Sequence, residues 1–250
     1  MSVSILAGDI RDRLSEIPDG SVDVIVTDPP YGETALAWDK WVTGWPALVR
    51  RVLKPSGSMW VFGSTRMFMT RSNEFSAWHI AQDVVWEKHN GSGFMSDRFR
   101  RVHEGAVQFY PLGVPWSQVF KQPQFTNDAT ARSVRRQSGA AHWHGVRGRT
   151  SYETEDGGPR LVRSVIYCRS EHLKGDHPTQ KPIAVVAPLV AYSCPPDGVV
   201  LDCFAGSGTT GICARRSGRS AILIEADPQF LAVMRSRLDN DAPLFAGQAA

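Results

Sequence analysis

Two short stretches of the chain carry residues whose types and spacing can do chemistry. Asp28, Pro29, Pro30 and Tyr31 follow directly on the apolar run at 22–27, so a carboxylate, ring-stiffened carbonyls and an aromatic side chain share one rigid turn. Standing alone, that tetrapeptide also reads as a strand ending in a Pro-Pro turn. The second stretch, GSGTTG, places glycines at 206, 208 and 211, with Glu225 lying 19 residues after Gly206. Glycines let a backbone pass close to a ligand, a helix start offers free N–H groups, and a carboxylate at the end of the following strand can take both hydroxyls of a ribose. A ligand containing a ribose is expected there. No lysine follows the glycines as a phosphate-gripping Walker loop requires, which excludes that loop. The turn by itself does not choose between a dinucleotide and an adenosyl ligand.

Holding these residues in place requires a sheet. VSILAG, VDVIVT and SMWVFG read as strands, separated by the amphipathic IRDRLSEI and by WVTGWPALVRRVLK, a predicted helix closed by the turn KPSG. That alternation is the mark of βαβ units and a parallel sheet. In the predicted helix, Trp41 and Trp45 are spaced i, i+4 and read as its apolar face, while the loop from Gly32 to Lys40, with Trp38, is placed to cover a bound substrate. DVVWEK and GAVQFY continue the strand pattern, which then fails from 111 to about 163, where Pro, Gly, Ser and Gln dominate. Regularity returns with SVIYCR, a helix IAVVAPLVAYSC, and the run strand, glycine turn, helix, strand, acid from 198 to 227. Only about forty residues follow Gly211, too few for the second half of a dinucleotide fold unless the missing part of the sheet lies at the N-terminus. The expected organisation is one domain in two halves, 1–110 and 165–250, interrupted by a lobe at 111–164.

The 250 residues suffice for one large α/β domain without metal or disulfide staples. Four cysteines stand far apart with no Cys-x-x-Cys pair, so neither a disulfide framework nor a structural metal is expected. The start, MSVSILAGDI, lacks a secretory signal, and no apolar run approaches a membrane span, which places the chain in the cytoplasm as an expectation. Charge is unevenly spread. Between Arg98 and Arg149 there are nine Lys/Arg against two acids, Glu104 and Asp128, a local +7 within a net charge of +3. Such a basic block suits a polyanion, nucleic acid foremost, or else is a solvated basic loop. The HWH triplet at 142–144 has two histidines without a third ligand in view, so no metal site is assigned.

Taken together, TDPPY at 27–31, LDCFAGSGTTG at 201–211 and HPTQKP at 177–182 resemble the motifs of the amino-group DNA methyltransferases of the N6-adenine/N4-cytosine family, and their order resembles its beta class. GDIRDRLSEIPDGSVD, VLKPSGSMWVFG and WEKHNGSGF extend the resemblance over nearly all the chain outside 111–163. The resemblance implies S-adenosylmethionine as cofactor and a circularly permuted, Rossmann-like α/β fold with a mostly parallel, seven-stranded sheet and a small inserted recognition lobe. It implies a catalytic set of Asp28, Pro29, Pro30 and Tyr31. For the cofactor it implies backbone around Phe204, Ala205, Gly206 and Gly208 beside the methionine part, Asp202 and Thr209 as further cofactor-binding residues, Glu225 on the ribose, Asp9 near the adenine, and Thr179 and Lys181 near the methionine carboxylate.

The chemistry fits those residue types. An exocyclic amino group is a poor nucleophile because its lone pair is delocalised into the ring, and two acceptors beside its hydrogens favour a more tetrahedral nitrogen. Asp28 and the Pro29 carbonyl are assigned as the acceptors, with Tyr31 stacking on a base flipped out of double-stranded DNA. The DNA surface is assigned to Arg98, Arg100, Arg101, Arg135, Arg136, Trp143, Arg147 and Arg149. Adenine N6 is the preferred target and cytosine N4 its alternative; a nicotinamide-dependent oxidoreductase or an inactive DNA-binding module are the rivals from other classes. The resemblance also raises a homodimer and a cognate restriction endonuclease as partners. Cys203, inside the glycine-turn segment, reads as packing rather than as a nucleophile.

Overall fold

A computed structural model describes residues 1–92, 96–136, 139–140, 146–147, 150–170 and 180–241. It divides into two units, Met1–Gln122 with Ser164–Ala250, and Pro123–Arg163. The first part of the larger unit holds β1 (Val3–Ala7), α1 (Ile10–Arg13), β2 (Val22–Thr27), α2 (Trp45–Leu48), β3 (Leu53–Gly63), α3 (Thr65–Thr70), β4 (Trp78–Ser92) and β5 (Arg101–Pro111). The smaller unit is made of short antiparallel pairs: β6 (Phe125–Thr126) with β11 (Arg160–Leu161), β7 (Arg132–Arg136) with β10 (Thr150–Thr154), and β8 (Gly139–Ala140) with β9 (Val146–Arg147). The larger unit resumes with β12 (Val165–Tyr167), α4 (Ile183–Ser193), β13 (Val199–Asp202), α5 (Thr209–Arg216), β14 (Ser220–Glu225) and α6 (Pro228–Asn240).

The main sheet runs β1-β14-β13-β2-β3-β5-β4-β12, eight strands rather than the seven expected, the extra one being the short β12 laid parallel on β4. Only β5 runs against its neighbours. The two halves of the chain meet at β2 and β13, which pair in parallel with Val24 opposite Val200 and Ile25 opposite Leu201. From this seam the connections leave in opposite directions, β2 toward β3 and β13 toward β14. The crevice at the carboxyl ends of strands at such a switch point is where open α/β sheets bind ligands. β1 closes the arrangement by pairing in parallel with β14. This is the circularly permuted, Rossmann-like sheet that the sequence implies.

β2 is buried along its whole length, as a β-branched run covered on both faces should be. Val24 and Val26 face the core under α4, α5 and α6, with Trp60, Phe62, Val200, Leu223 and Met234. Ile25 faces the opposite core, with Ile10, Trp45, Met59, Val61 and Leu201. A β-bulge absorbs the KPSG segment inside β3, so that segment interrupts pairing with β2 rather than separating a helix from a strand.

The predicted helix through 41–54 shrinks to α2. Gly44 sits at φ +82° and Pro46 has no N–H to give an earlier turn, so the helix begins at Trp45, while Leu53 is already strand. Trp41 therefore lies outside the helix, yet its ring meets that of the fully buried Trp45 at 6.1 Å. The smaller unit is narrower than the expected lobe. Residues 112–122 stay with the large unit, where Phe120 N donates to Ser56 O and Gln122 N to Tyr192 O.

Candidate functional site

β2, β13, β14 and β1 all end on the same side of the sheet, and the residues that follow them line one cavity of about 1270 Å³. Asp28, Pro29, Pro30 and Tyr31 enter from the end of β2, Asp202 to Ser207 from β13, Glu225 from β14, and Gly8 and Asp9 from β1. Single ligand pockets run to roughly 300–1,000 Å³, so this space suits two ligands side by side. The sequence-separated Asp-Pro-Pro-Tyr and glycine-turn stretches thus share one chamber.

Asp28 is the electrostatic centre. Tyr31 Oη donates to its Oδ1 at 2.5 Å and the Lys181 ammonium binds its Oδ2. Its side chain keeps 22% of its exposure, enough to be reached from the cavity. Burial raises its pKa, Lys181 opposes that and Glu104 adds to it, leaving the carboxyl above its ordinary range. Lys181, in the segment just before α4, also stands 3.3 Å from Glu104 Oε2, and Glu104 pairs in turn with Lys88. Burial works to raise Glu104, but the two lysines outweigh it and hold its pKa at about 2. Burial works against the Lys181 ammonium, and its two carboxylates outweigh that, raising its pKa. Expected beside a methionine carboxylate, Lys181 here has its charge engaged by Asp28 and Glu104.

At the glycine turn, Gly208 caps α5 in the left-handed region at φ +77°, and a Cβ there would meet Met234 Cγ at 2.7 Å. A Cβ on Gly211 would stand 2.7 Å from Leu223 Cδ1, so the third glycine serves helix-to-strand packing. Glu225 accepts from Gly206 N at 2.7 Å through Oε2 and from Asp227 N at 2.8 Å through Oε1. With up to four acceptor sites against these backbone donors and that of Ala226, the carboxylate keeps capacity for a ribose hydroxyl. Burial raises its pKa although those N–H groups oppose it. Asp202 is buried, accepts from Thr27 Oγ1 at 2.8 Å and from Phe204 N at 3.2 Å, and is pushed up to about 6 by burial. Phe204 packs edge-on against Trp45 at 5.5 Å, Ala205 is buried, and Thr209 joins Ser207 through its hydroxyl. Asp9 caps α1 and accepts two hydrogen bonds from the Arg11 guanidinium, which lowers its pKa.

Of the residues assigned to DNA, Arg100 and Arg101 line the same cavity, and Arg98 is exposed and paired with Asp97. Arg135 is exposed on β7, and the backbones of Arg136 and Arg147 lie in β7 and β9 of the smaller unit. Thr179, Trp143, Arg149 and the HWH triplet lie outside the described residues. Within the smaller unit, Ala129 is the one buried apolar side chain among the described residues, while Phe125, Tyr152 and Leu161 are exposed. Cys203 is buried and its thiol pKa lies well above its usual value because of that burial, which fits packing; all four cysteines are free thiols. No metal-ligating group and no helix long and apolar enough to cross a membrane occurs among the described residues.

Sequence reasoning missed two acids. Asp39, buried, accepts from the backbone N–H groups of Gly32, Glu33 and Thr34 at 2.8, 3.0 and 2.7 Å, and so ties the loop after Tyr31 into shape. Nothing in the local pattern points to it. Glu104 did leave a signal, being one of two acids in a stretch of nine cations.

The sequence model of the N6/N4 methyltransferase family, described as DNA methylase, matches residues 22–236. The type II methyltransferase M.HinfI of Haemophilus influenzae is 29% identical over 278 residues, covering 96% of this chain and 69% of that protein. Among solved structures, the M1.HpyAVI–SAM complex aligns at a TM-score of 0.64 and 22% identity, covering 94% of this chain and 99% of that one. The cytosine-N4-specific PvuII DNA methyltransferase aligns at 0.63 and 18% identity, covering 95% and 86%.

Proposed function

The chain belongs to the N6/N4 DNA methylase family of S-adenosylmethionine-dependent enzymes, and from that premise we propose that it methylates N6 of adenine bases flipped out of double-stranded DNA. The observation that carries the reading is the shared cavity, in which the Asp28 carboxylate and the glycine turn of β13 face one space large enough for base and cofactor together. The residues fit the cofactor: a close-approach turn at Gly206 and Gly208, a carboxylate with lone pairs to spare at Glu225, and a buried carboxylate at Asp202. When bound, S-adenosylmethionine supplies a methyl group made electrophilic by its sulfonium.

Asp28 and the Pro29 carbonyl accept from the amino hydrogens and bring the nitrogen lone pair out of conjugation, with the prolines fixing the acceptors and Tyr31 receiving the base. Glu225 holds the ribose, Asp9 sits toward the adenine end, and the Phe204 to Thr209 turn surrounds the methionine part. The Asp28 contact of Lys181 supports a place beside the reacting group more than one on the methionine carboxylate. Arg100 and Arg101 at the cavity and the basic smaller unit, including Arg135, supply the phosphate and groove contacts. A homodimer and a companion restriction endonuclease remain proposals from the resemblance.

Mass spectrometry of nucleosides from DNA treated with the purified protein tests the reading. N6-methyldeoxyadenosine from wild type, with none from Asp28→Ala that still binds cofactor in calorimetry, is expected. N4-methyldeoxycytidine alone would move the target to cytosine, and full activity in Asp28→Ala would remove Asp28 from catalysis.

A further inference from the structure

Both oxygens of the Asp28 carboxylate are taken in this structure, Oδ1 by the Tyr31 hydroxyl and Oδ2 by the Lys181 ammonium. A target amino group seeking an acceptor at Oδ2 has to share that oxygen with the ammonium or displace it. Tyr31 lies on the same turn as Asp28, three residues on. Lys181 comes from another segment and has somewhere else to go. Its Nζ is 3.3 Å from Glu104 Oε2, a buried oxygen that completes no hydrogen bond. Buried acceptors left open are uncommon and costly. Glu104 itself is fixed on β5, its other oxygen bound by Lys88 of β4, whose ammonium rests 4.6 Å from the centre of the Trp86 ring. Phe62 gives Lys181 a similar face at 5.3 Å.

We propose that Glu104 is a positioning residue of the methyl transfer: it holds Lys181 at the edge of Asp28 and takes over its ammonium when the target amino group occupies Oδ2. The inference rests on the methyltransferase reading above and adds a residue to it. No bond to carbon or hydrogen changes in this exchange; one ion pair loosens as another tightens, and the buried charges stay balanced throughout. With Glu104 absent, Lys181 has Asp28 as its one anionic partner among the described residues and competes with the substrate for it.

Charge arithmetic makes the role testable. Asp28 is faced by Lys181 from the segment before α4, Glu104 from β5, Asp202 from β13 and Tyr31 from its own turn, with Lys88 of β4 and Arg101 of β5 farther out. Removing the negative Glu104 makes the Asp28 proton easier to lose, and removing the positive Lys181 makes it harder.

The experiment is the pH profile of DNA methylation, from about pH 5 to 9, for wild type, Glu104→Gln, Lys181→Met and Lys88→Gln, with cofactor affinity measured beside it. For Glu104→Gln the expected result is kcat lower by about tenfold or more, cofactor Kd within about twofold of wild type, and an acid limb shifted down by about half a pH unit. For Lys181→Met the acid limb shifts up, by about one pH unit. Limbs that stay in place, or that move the same way in both variants, overturn the proposal, as does an unchanged kcat in Glu104→Gln. If circular dichroism shows Glu104→Gln unfolded, Lys88→Gln decides: a Glu104 freed from Lys88 draws Lys181 harder and shifts the acid limb up, and an unmoved limb overturns the proposal. Wild-type protein that methylates no DNA refutes the underlying reading first, before any variant is compared, and this inference with it.

Discussion

Thr27 donates its hydroxyl to Asp202 Oδ1 at 2.8 Å, and its Oγ1 in turn accepts from Cys203 N at 3.3 Å. The residue before Asp28 is thereby bonded to the residue that opens the glycine turn, although 175 positions separate them. Thr27→Val keeps the shape and deletes the bond, leaving a buried carboxylate short of a donor at a cost of about 1–3 kcal/mol. We expect a lower melting temperature and cofactor affinity reduced by roughly tenfold, both recovered in Thr27→Ser. Calorimetry and thermal melts that match wild type would show that the seam does not depend on this bond.

Asp202 predicts a pH dependence. Burial lifts its pKa from 3.8 to about 6, so the folded chain holds that proton more tightly than the unfolded one. The contribution to stability of the cofactor-free protein is complete below the unfolded value and is lost as pH rises through about 6. S-adenosylmethionine brings positive charge into the cavity and favours the ionised form. Its affinity should therefore rise between about pH 5 and 7, by up to roughly tenfold, with a proton released on binding. In Asp202→Asn the slope should vanish; a slope unchanged in that variant would assign the proton elsewhere.

Gly208→Ala should be costly twice over. Its φ of +77° disfavours any side chain, and the new Cβ would press on Met234 of α6 at 2.7 Å. A loss of about 1–3 kcal/mol in denaturant unfolding, with weaker cofactor binding, is expected. A variant as stable as wild type would mean that the turn and α6 shift apart freely.

Asp39→Asn offers a different signature. It replaces one acceptor of the three N–H groups of Gly32, Glu33 and Thr34 by a donor. Because that loop borders the cavity beside Tyr31, kcat/KM for DNA should fall about tenfold or more, with cofactor affinity little changed. Equal losses in both would point to a general collapse of the cavity instead.

Much of this was legible beforehand. The βαβ alternation and the β-branched run before Asp28 announce a parallel sheet, and GSGTTG with Glu225 announces a turn of the kind that approaches a ligand. Local rules stop working where contacts join distant parts of the chain. The i, i+4 pair Trp41 and Trp45 does pack together, but across a chain break in helix geometry enforced by Gly44 and Pro46. The sequence singles out Lys181, which lines the cavity, but not its partner, since a cation is equally suited to a ligand carboxylate and to Asp28. Asp39 and Glu104 act through three-dimensional neighbours that no spacing rule encodes.

The pairing of β2 with β13, and of β1 with β14, has a consequence for biosynthesis. While a ribosome is still making residues up to Val199, β2 has β3 on one side and, on the other, an open edge of Val24, Ile25 and Val26 with no strand to cover it. Such edges template aggregation. The growing chain must keep its future centre shielded until residues 199–225 emerge, so methyl-donor binding and completion of the core arrive together, after every other strand of the sheet has been made.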